Sequence, residues 1–366
     1  MDTMHSDPSK EMTLVFTREL PQEVRYDLIV KDDTLYLALT YRHNTGYMLE
    51  LATWRINQDR EVDARCIVIH DEPPILVSID PYEDEPTVYV YNEGIVGRCV
   101  FKDDHVFHND ITIATDPQHA GSYPVVMKPA RDTLYVLYGR DAEVAPSAFI
   151  ACIPKDESFR CNLDTPVVTY NALIVDVSYA EVGHRAIDLA LSDGDAREIY
   201  YLERIPTEQN RLLIFKPNDE WSTRSVISDE HERAYARKIV VCGENVCVIG
   251  SEAQDDGSMC LIVTIVPPEI DSLYSRKFEA TEAFDVLDAI YHPGTRQVYA
   301  LVHFKRGGWR LYWYDIDKDG EGYYDASEFN YEDHAVPMRI YPFSKGIVAV
   351  FEVDDGNKSW LKIGSL

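Results

Sequence analysis

Cations are scarce in this chain: its 366 residues carry 35 Lys and Arg against 63 Asp and Glu, a formal net charge of −28 at pH 7. A surface this acidic repels phosphate backbones and anionic lipid, so nucleic acid and membrane are poor partners, and no basic cluster is long enough to reverse that. Long apolar runs are missing too. No stretch approaches the roughly 18 residues that a membrane-spanning helix needs. Residues 1–11 hold no apolar signal core and read as a disordered lead-in. A disulfide framework is also absent: the seven cysteines are odd in number and mostly scattered through apolar segments. That pattern points to reduced thiols in a cytoplasmic or nuclear protein. Cys242 and Cys247 flank a Gly-Glu-Asn turn and can face each other across a hairpin, although two small core residues is the plainer reading. Finally, there is no Gly-rich phosphate loop, nucleophile elbow, His-Glu-x-x-His or Cys-x-x-Cys, so the usual marks of an enzyme are lacking.

What the chain does have is recurrence. Asp132-Thr-Leu-Tyr-Val-Leu-Tyr-Gly139 returns as Asp33-Thr-Leu-Tyr-Leu-Ala-Leu-Thr40, Pro86-Thr-Val-Tyr-Val-Tyr-Asn92 and Arg296-Gln-Val-Tyr-Ala-Leu-Val302. Weaker copies run from Glu244 to Gly250 and from Lys345 to Phe351. Each is a short β-branched, aromatic and aliphatic run entered through a polar or turn-forming residue, which predicts a buried strand. A unit recurring every fifty or so residues in an all-β sequence predicts a radial array of small sheets, a β-propeller.

In chain order, units begin near Arg25, Ile75, Pro124, Leu173, Arg237, Val286 and Val336, which makes seven. The unit at Leu173 is longer, and the segment Pro206–Asn210 leaves its strand pairing open. The last unit runs out of chain after three strands, while Met12–Leu20 is a strand candidate with no hairpin partner. We therefore expect an all-β, seven-bladed β-propeller over residues 12–366, closed by pairing the N-terminal strand with the last blade, which removes exposed sheet edges.

Several motifs resemble degenerate WD40 repeats. Pro-led turns stand at Ile79-Asp-Pro81, Met127-Lys-Pro129, Tyr291-His-Pro293 and Ile340-Tyr-Pro342, histidines precede the first strands at His70, His119, His231 and His334, and Asp-Gly turns occur at Asp255–Ser258 and Asp354–Gly356. The run Trp309–Asp315 is similar to the family's third strand, although no unit ends in a Trp-Asp pair. The resemblance implies a propeller, and implies that the four histidines make structural hydrogen bonds between blade elements.

The sharpest local motif is Asp315-Ile-Asp-Lys-Asp-Gly320, followed by Asp325. Alternating carboxylates ahead of a glycine suit a hard cation, so Asp315, Asp317, Asp319 and Asp325 are the candidate ligands for Ca²⁺. The closing glutamate of an EF-hand loop is out of place, and a solvated hairpin turn is the competing reading. Asp80, Lys128, His292 and Tyr341 stand before the Pro-led turns, where a propeller gathers its channel-mouth residues. Asp176, Asp188 and Asp288 lie in apolar runs and must be paired or have raised pKa values. The function expected from these features is a non-catalytic protein-interaction scaffold, a subunit of a larger assembly whose partners are other proteins, basic ones included. Its acidic loops Asp229–Glu232 and Tyr331–His334 are the contact sites to test. The alternative is a lactonase-like small-molecule hydrolase holding a divalent metal in the channel.

Overall fold

The computed structural model describes residues 13–20, 24–31, 33–44, 46–56, 61–70, 73–103, 105–113, 122–139, 148–155, 168–170, 173–176, 185–192, 198–204, 210–215, 222–226, 234–256, 258–267, 274–280, 282–306, 308–325, 337–344, 346–354 and 359–365. These residues are nearly all strand. After β1 (Thr13–Leu20) comes the meander β2 (Arg25–Lys31), β3 (Thr34–His43), β4 (Gly46–Arg55) and β5 (Glu61–His70). The next is β6 (Leu76–Asp80), β7 (Thr87–Asn92), β8 (Ile95–Lys102) and β9 (His105–Ile113). Then follow β10 (Tyr123–Pro129), β11 (Thr133–Gly139), β12 (Ala148–Pro154), β13 (Val168–Tyr170) and β14 (Leu173–Asp176). The fourth group is β15 (Arg185–Leu191), β16 (Ile199–Arg204), β17 (Asn210–Phe215) and β18 (Ser222–Val226). The remaining strands are β19 (Ala234–Cys242), β20 (Asn245–Ala253), β21 (Met259–Val266), β22 (Tyr274–Ala280), β23 (Phe284–His292), β24 (Gln297–Phe304), β25 (Trp309–Asp315), β26 (Gly320–Asp325), β27 (Pro337–Phe343), β28 (Gly346–Asp354) and β29 (Ser359–Ser365).

The strands form seven sheets, ordered β2-β3-β4-β5, β13-β9-β8-β7-β6, β10-β11-β12-β14, β15-β16-β17-β18, β19-β20-β21-β22, β23-β24-β25-β26 and β1-β29-β28-β27. Against the expectation of seven complete blades, the described ladders are complete in six sheets. In the sheet of β15 to β18, the described register is that of β15 with β16. This is where the sequence pattern is weakest: β16 opens on Ile199-Tyr-Tyr without the Thr or turn entry of its counterparts, and the polar run Pro206–Asn210 follows it. The fourth unit also starts later than expected. Leu173–Asp176 is the outermost strand of the third sheet, paired antiparallel with β12 from Phe149↔Asp176 to Cys152↔Leu173, and the next sheet opens at Arg185. The long connection after Lys155 hid this, because it also yields β13, which adds in parallel to the outer edge of β9.

The recurrent stretch is the second strand of its sheet in every copy: β3, β7, β11, β20, β24 and β28. The reason is burial on both faces. All six residues of β7 are buried, as are those of β11 from Leu134 to Gly139, so alternation gives way to a continuous apolar run. Turn chemistry fits as well. Glu93 and Gly94 both have positive φ (42° and 85°) between the paired residues Asn92 and Ile95, which is the two-residue hairpin geometry whose twist matches the flanking strands.

Two compact units make up the chain, one of residues 21–206 and 213–223, the other of residues 1–20, 207–212 and 224–366. In the first, β2 and β3 pack on β6, β10 packs on β6, and β15 packs on β10 and β11. Its core lies between the sheets: Tyr89 and Tyr91 interleave with Leu134, Val136, Tyr138 and Phe149, and Tyr138 stacks on Phe149 at 4.6 Å. Each such ring contributes on the order of 1.5–3 kcal/mol through removal from water. In the second unit, β23 packs on β19 and β20, and β27 on β23 and β24. There Phe278 meets Tyr312 edge-on and Trp309 meets Phe351. Within that unit, β1 pairs antiparallel with β29 from Thr13↔Ser365 to Leu20↔Ser359.

Candidate functional site

The polar residues at the ends of the first strands link one sheet to the next. Asp80 ends β6 opposite Thr87 and is 3% exposed. Its Oδ1 accepts the Tyr82 N–H at 2.9 Å, which fixes the Pro-led turn. Its Oδ2 receives the Nζ of Lys155, 2% exposed, and the same ammonium donates to the Ala130 carbonyl at the end of the neighbouring first strand. Lys155 Nζ also lies 5.6 Å from the centroid of the Tyr89 ring. Burial, and then the Asp80 charge, push the Tyr89 phenol well above its ordinary pKa. An ion pair this deeply buried is a cross-link whose disruption leaves a charge out of water.

His292 holds the matching place at the end of β23, opposite Gln297. Its Nδ1 accepts the Thr295 N–H at 3.1 Å, and its Nε2 lies 2.7 Å from the Phe343 carbonyl oxygen at the end of β27. A nitrogen that accepts a backbone N–H carries no proton, so the neutral ring must carry it on Nε2 and donate it to Phe343. Both nitrogens are then engaged, and the imidazole has no lone pair left to act as a base. A third instance is Lys31, at the end of β2, whose Nζ donates to the Pro81 carbonyl at 3.2 Å.

A second device recurs further back along the first strands. The Ile79 N–H donates to Asp27 Oδ2 at 2.8 Å, and the Ile340 N–H donates to Asp288 Oδ2 at 2.9 Å, each pair 52 residues apart. Asp288 follows a register shift after Val286, which turns its side chain toward the neighbouring strand. Burial raises its pKa, opposed chiefly by Lys238, whose Nζ is 4.0 Å from Oδ1. Asp188 follows the same kind of shift in β15, and its Oδ1 accepts the Leu189 N–H at 3.0 Å. Asp176 ends β14, paired with Phe149. Lys128 is exposed on β10, and Tyr341 is half-buried on β27. Of the four histidines, His70 ends β5, while His119, His231 and His334 lie outside the described residues, as do the loops 229–232 and 331–334.

The candidate calcium ligands are only partly brought together. Asp315 ends β25, and its Oδ1 accepts the N–H groups of Asp317 and Lys318 at 3.1 and 3.0 Å. Asp317 Oδ2 is 2.7 Å from Arg296 Nε. Asp319, with φ of 55°, takes the Arg276 guanidinium from β22 together with the Tyr274 and Tyr314 hydroxyls. The Arg276 hydrogen bond, first among its causes, holds the Asp319 carboxyl below the usual range. Asp325 pairs with Arg310, five residues back along β25 from Asp315, a separation of about 17 Å. Asp315 Oδ2 is also 3.6 Å from Lys318 Nζ, so three carboxylates in this turn face three different cations, and the fourth sits at the far end of the hairpin. Among the described residues, no group of three or more His, Cys, Asp or Glu side chains is arranged to hold a metal ion.

Lys155, Asp27 and Arg276 carry these links without any local sign in the sequence. Lys155 follows a proline and reads as a surface lysine, and its partner Asp80 is 75 residues away.

No protein-family model matches the chain, and no curated protein sequence matches it. Solved structures do. The crystal structure of Chaetomium thermophilum Raptor is similar over 97% of this chain and 29% of that chain, at 10% identity and a TM-score of 0.54. The β-propeller domain of the trilobed protease from Pyrococcus furiosus is similar over 94% of both chains, at 12% identity and a TM-score of 0.53. A prolyl endopeptidase structure is similar over 96% of this chain and 47% of that chain, at 11% identity and a TM-score of 0.52. With the sheets described above, these define the class: the chain is a β-propeller. This chain spans under a third of the length of the Raptor chain, and identities this low show the fold alone.

Proposed function

We propose that this protein is a non-catalytic interaction module, a rigid β-propeller that presents an acidic surface to other proteins within a larger assembly. In this reading the six sheets with complete described ladders are blades, and the pairing of β1 with β29 joins the N-terminal strand to the last of them. One observation carries the proposal: the buried titratable side chains best placed for chemistry, Asp80, Lys155 and His292, are engaged in links between sheets. Support comes also from the net charge of −28, which favours basic protein partners and steers their approach. The seven scattered cysteines favour a cytoplasmic or nuclear setting.

Affinity purification of the full chain from its native cells, at stepped ionic strength, tests the proposal. A stoichiometric protein partner that is released as salt screens the acidic surface is the expected outcome. Failure to recover any such partner at mild salt would count against the scaffold. The rival is a lactonase-like small-molecule hydrolase that holds a divalent cation in the propeller channel. Elemental analysis and melting with and without calcium separate the two. A bound divalent ion with a calcium-dependent rise in melting temperature favours the hydrolase, and metal-free protein with unchanged melting favours the module.

A further inference from the structure

Cys242 and Cys247 stand on either side of the tight hairpin that joins β19 to β20. Gly243, with φ of 68°, occupies the first of the two turn positions between the paired residues Cys242 and Asn245. A glycine in that conformation at that position suits the type II′ geometry that brings two strands together without splaying them. Val240 pairs directly with Cys247, and Cys242 lies two residues beyond Val240, so both cysteines share one face of the sheet as diagonal neighbours. The two sulfur atoms are 3.0 Å apart, with the Cys242 thiol directed at Cys247. A disulfide requires about 2.04 Å between sulfurs, so closing it takes a movement of about 1 Å. No other described cysteine is so placed: Cys260, on β21, pairs with Glu252, five residues along β20 from Cys247.

From this geometry we propose that Cys242 and Cys247 form a reversible dithiol–disulfide modification site, closed by hydrogen peroxide and reopened by a thiol reductant. The step is a two-electron oxidation. The Cys242 thiolate attacks one peroxide oxygen, the O–O bond breaks, and water leaves after protonation, giving a sulfenic acid. The Cys247 sulfur then attacks the Cys242 sulfur, the S–O bond breaks, and the sulfenic hydroxyl leaves as a second water with the proton of the Cys247 thiol, as the first water took that of Cys242. Cys242 takes the first role because it is at the hairpin end and retains slight exposure, while Cys247 is fully buried. Burial, then the neighbouring Cys247 thiol, raise the Cys242 pKa well above its ordinary value. Thiolate is therefore scarce near neutral pH, and closure accelerates as pH rises.

The test uses the full folded chain, titrated with hydrogen peroxide, then denatured, capped with maleimide and weighed intact. Cleavage after Glu244 separates the two cysteines onto different fragments. The expected result is a product lighter by two hydrogens, with two fewer maleimide adducts, whose two fragments stay joined until a reductant is added. The rate should increase at least several-fold per pH unit. Both Cys242→Ser and Cys247→Ser should abolish the joined product, and Cys66→Ser should leave it unchanged; a melting curve confirms that each variant is folded. If a serine variant does not fold, the joined fragments of the parent chain still decide. The proposal is overturned if folded protein gives sulfinic acids or other pairings instead. It is equally overturned if the joined product appears only after unfolding, or if both thiols stay reduced while exposed Cys66 is oxidised.

Discussion

The ends of β6 and β23 occupy the same place in their sheets, and both link to the end of the next first strand, with different chemistry. At β6 the link is a buried ion pair, Asp80 to Lys155 and on to the Ala130 carbonyl. At β23 it is one neutral imidazole reaching the Phe343 carbonyl directly. The comparison teaches that the position needs a polar cross-link and tolerates different ways of making one. It also predicts unequal costs. Removing half of a buried ion pair strands a charge, whereas removing a neutral side chain forfeits hydrogen bonds and leaves a small void.

The largest effect should therefore come from Lys155→Met, which leaves the Asp80 carboxylate buried without its cation. We expect a loss of about 3–5 kcal/mol, read as a lower denaturation midpoint in urea. Replacing both partners, Asp80→Leu with Lys155→Met, should recover much of that loss.

His292→Ala should lower stability by about 1–3 kcal/mol, since the Thr295 N–H and the Phe343 carbonyl both lose a partner. If it matched Lys155→Met in cost, the distinction between charged and neutral links would be lost.

Asp288 gives a smaller effect, visible in pH dependence. Its carboxyl is raised in the folded state, so the native protein holds this proton more tightly than the unfolded chain. Its contribution is fully present below the ordinary carboxylate pKa and is lost as pH rises through the raised folded value. Stability of the parent should fall relative to Asp288→Asn over that window, as followed by urea midpoints across the acidic range. A flat difference would contradict the assigned burial.

The smallest effect belongs to the exposed turn. Asp319→Asn removes the carboxylate that meets Arg276, yet both groups lie in solvent, so the melting temperature should barely move, and less still at high salt.

The second strands were legible in the sequence because burial on both faces writes a continuous apolar run, and turn residues mark where each begins. Leu173–Asp176 misled because four apolar-rich residues say nothing of which neighbour they join, and the join to β12 is set across a long connection. His292 and Asp80 stood out as residues before Pro-led turns, but their partners did not. The Phe343 carbonyl has no sequence signature, and Lys155 resembles any surface lysine until Asp80 is brought to it. The aspartates at Asp315–Asp319 showed a cation-binding rhythm, while the arginines and lysine that face them come from β22, the preceding turn and the loop itself.

The central claim, that buried polar groups serve here as links between sheets, is tested most directly by a double-mutant cycle on Asp80 and Lys155 in urea. The account predicts that the sum of the single losses exceeds the double loss by about 3 kcal/mol or more, at the upper end for contacting residues. Additive losses, with coupling near zero, would contradict it.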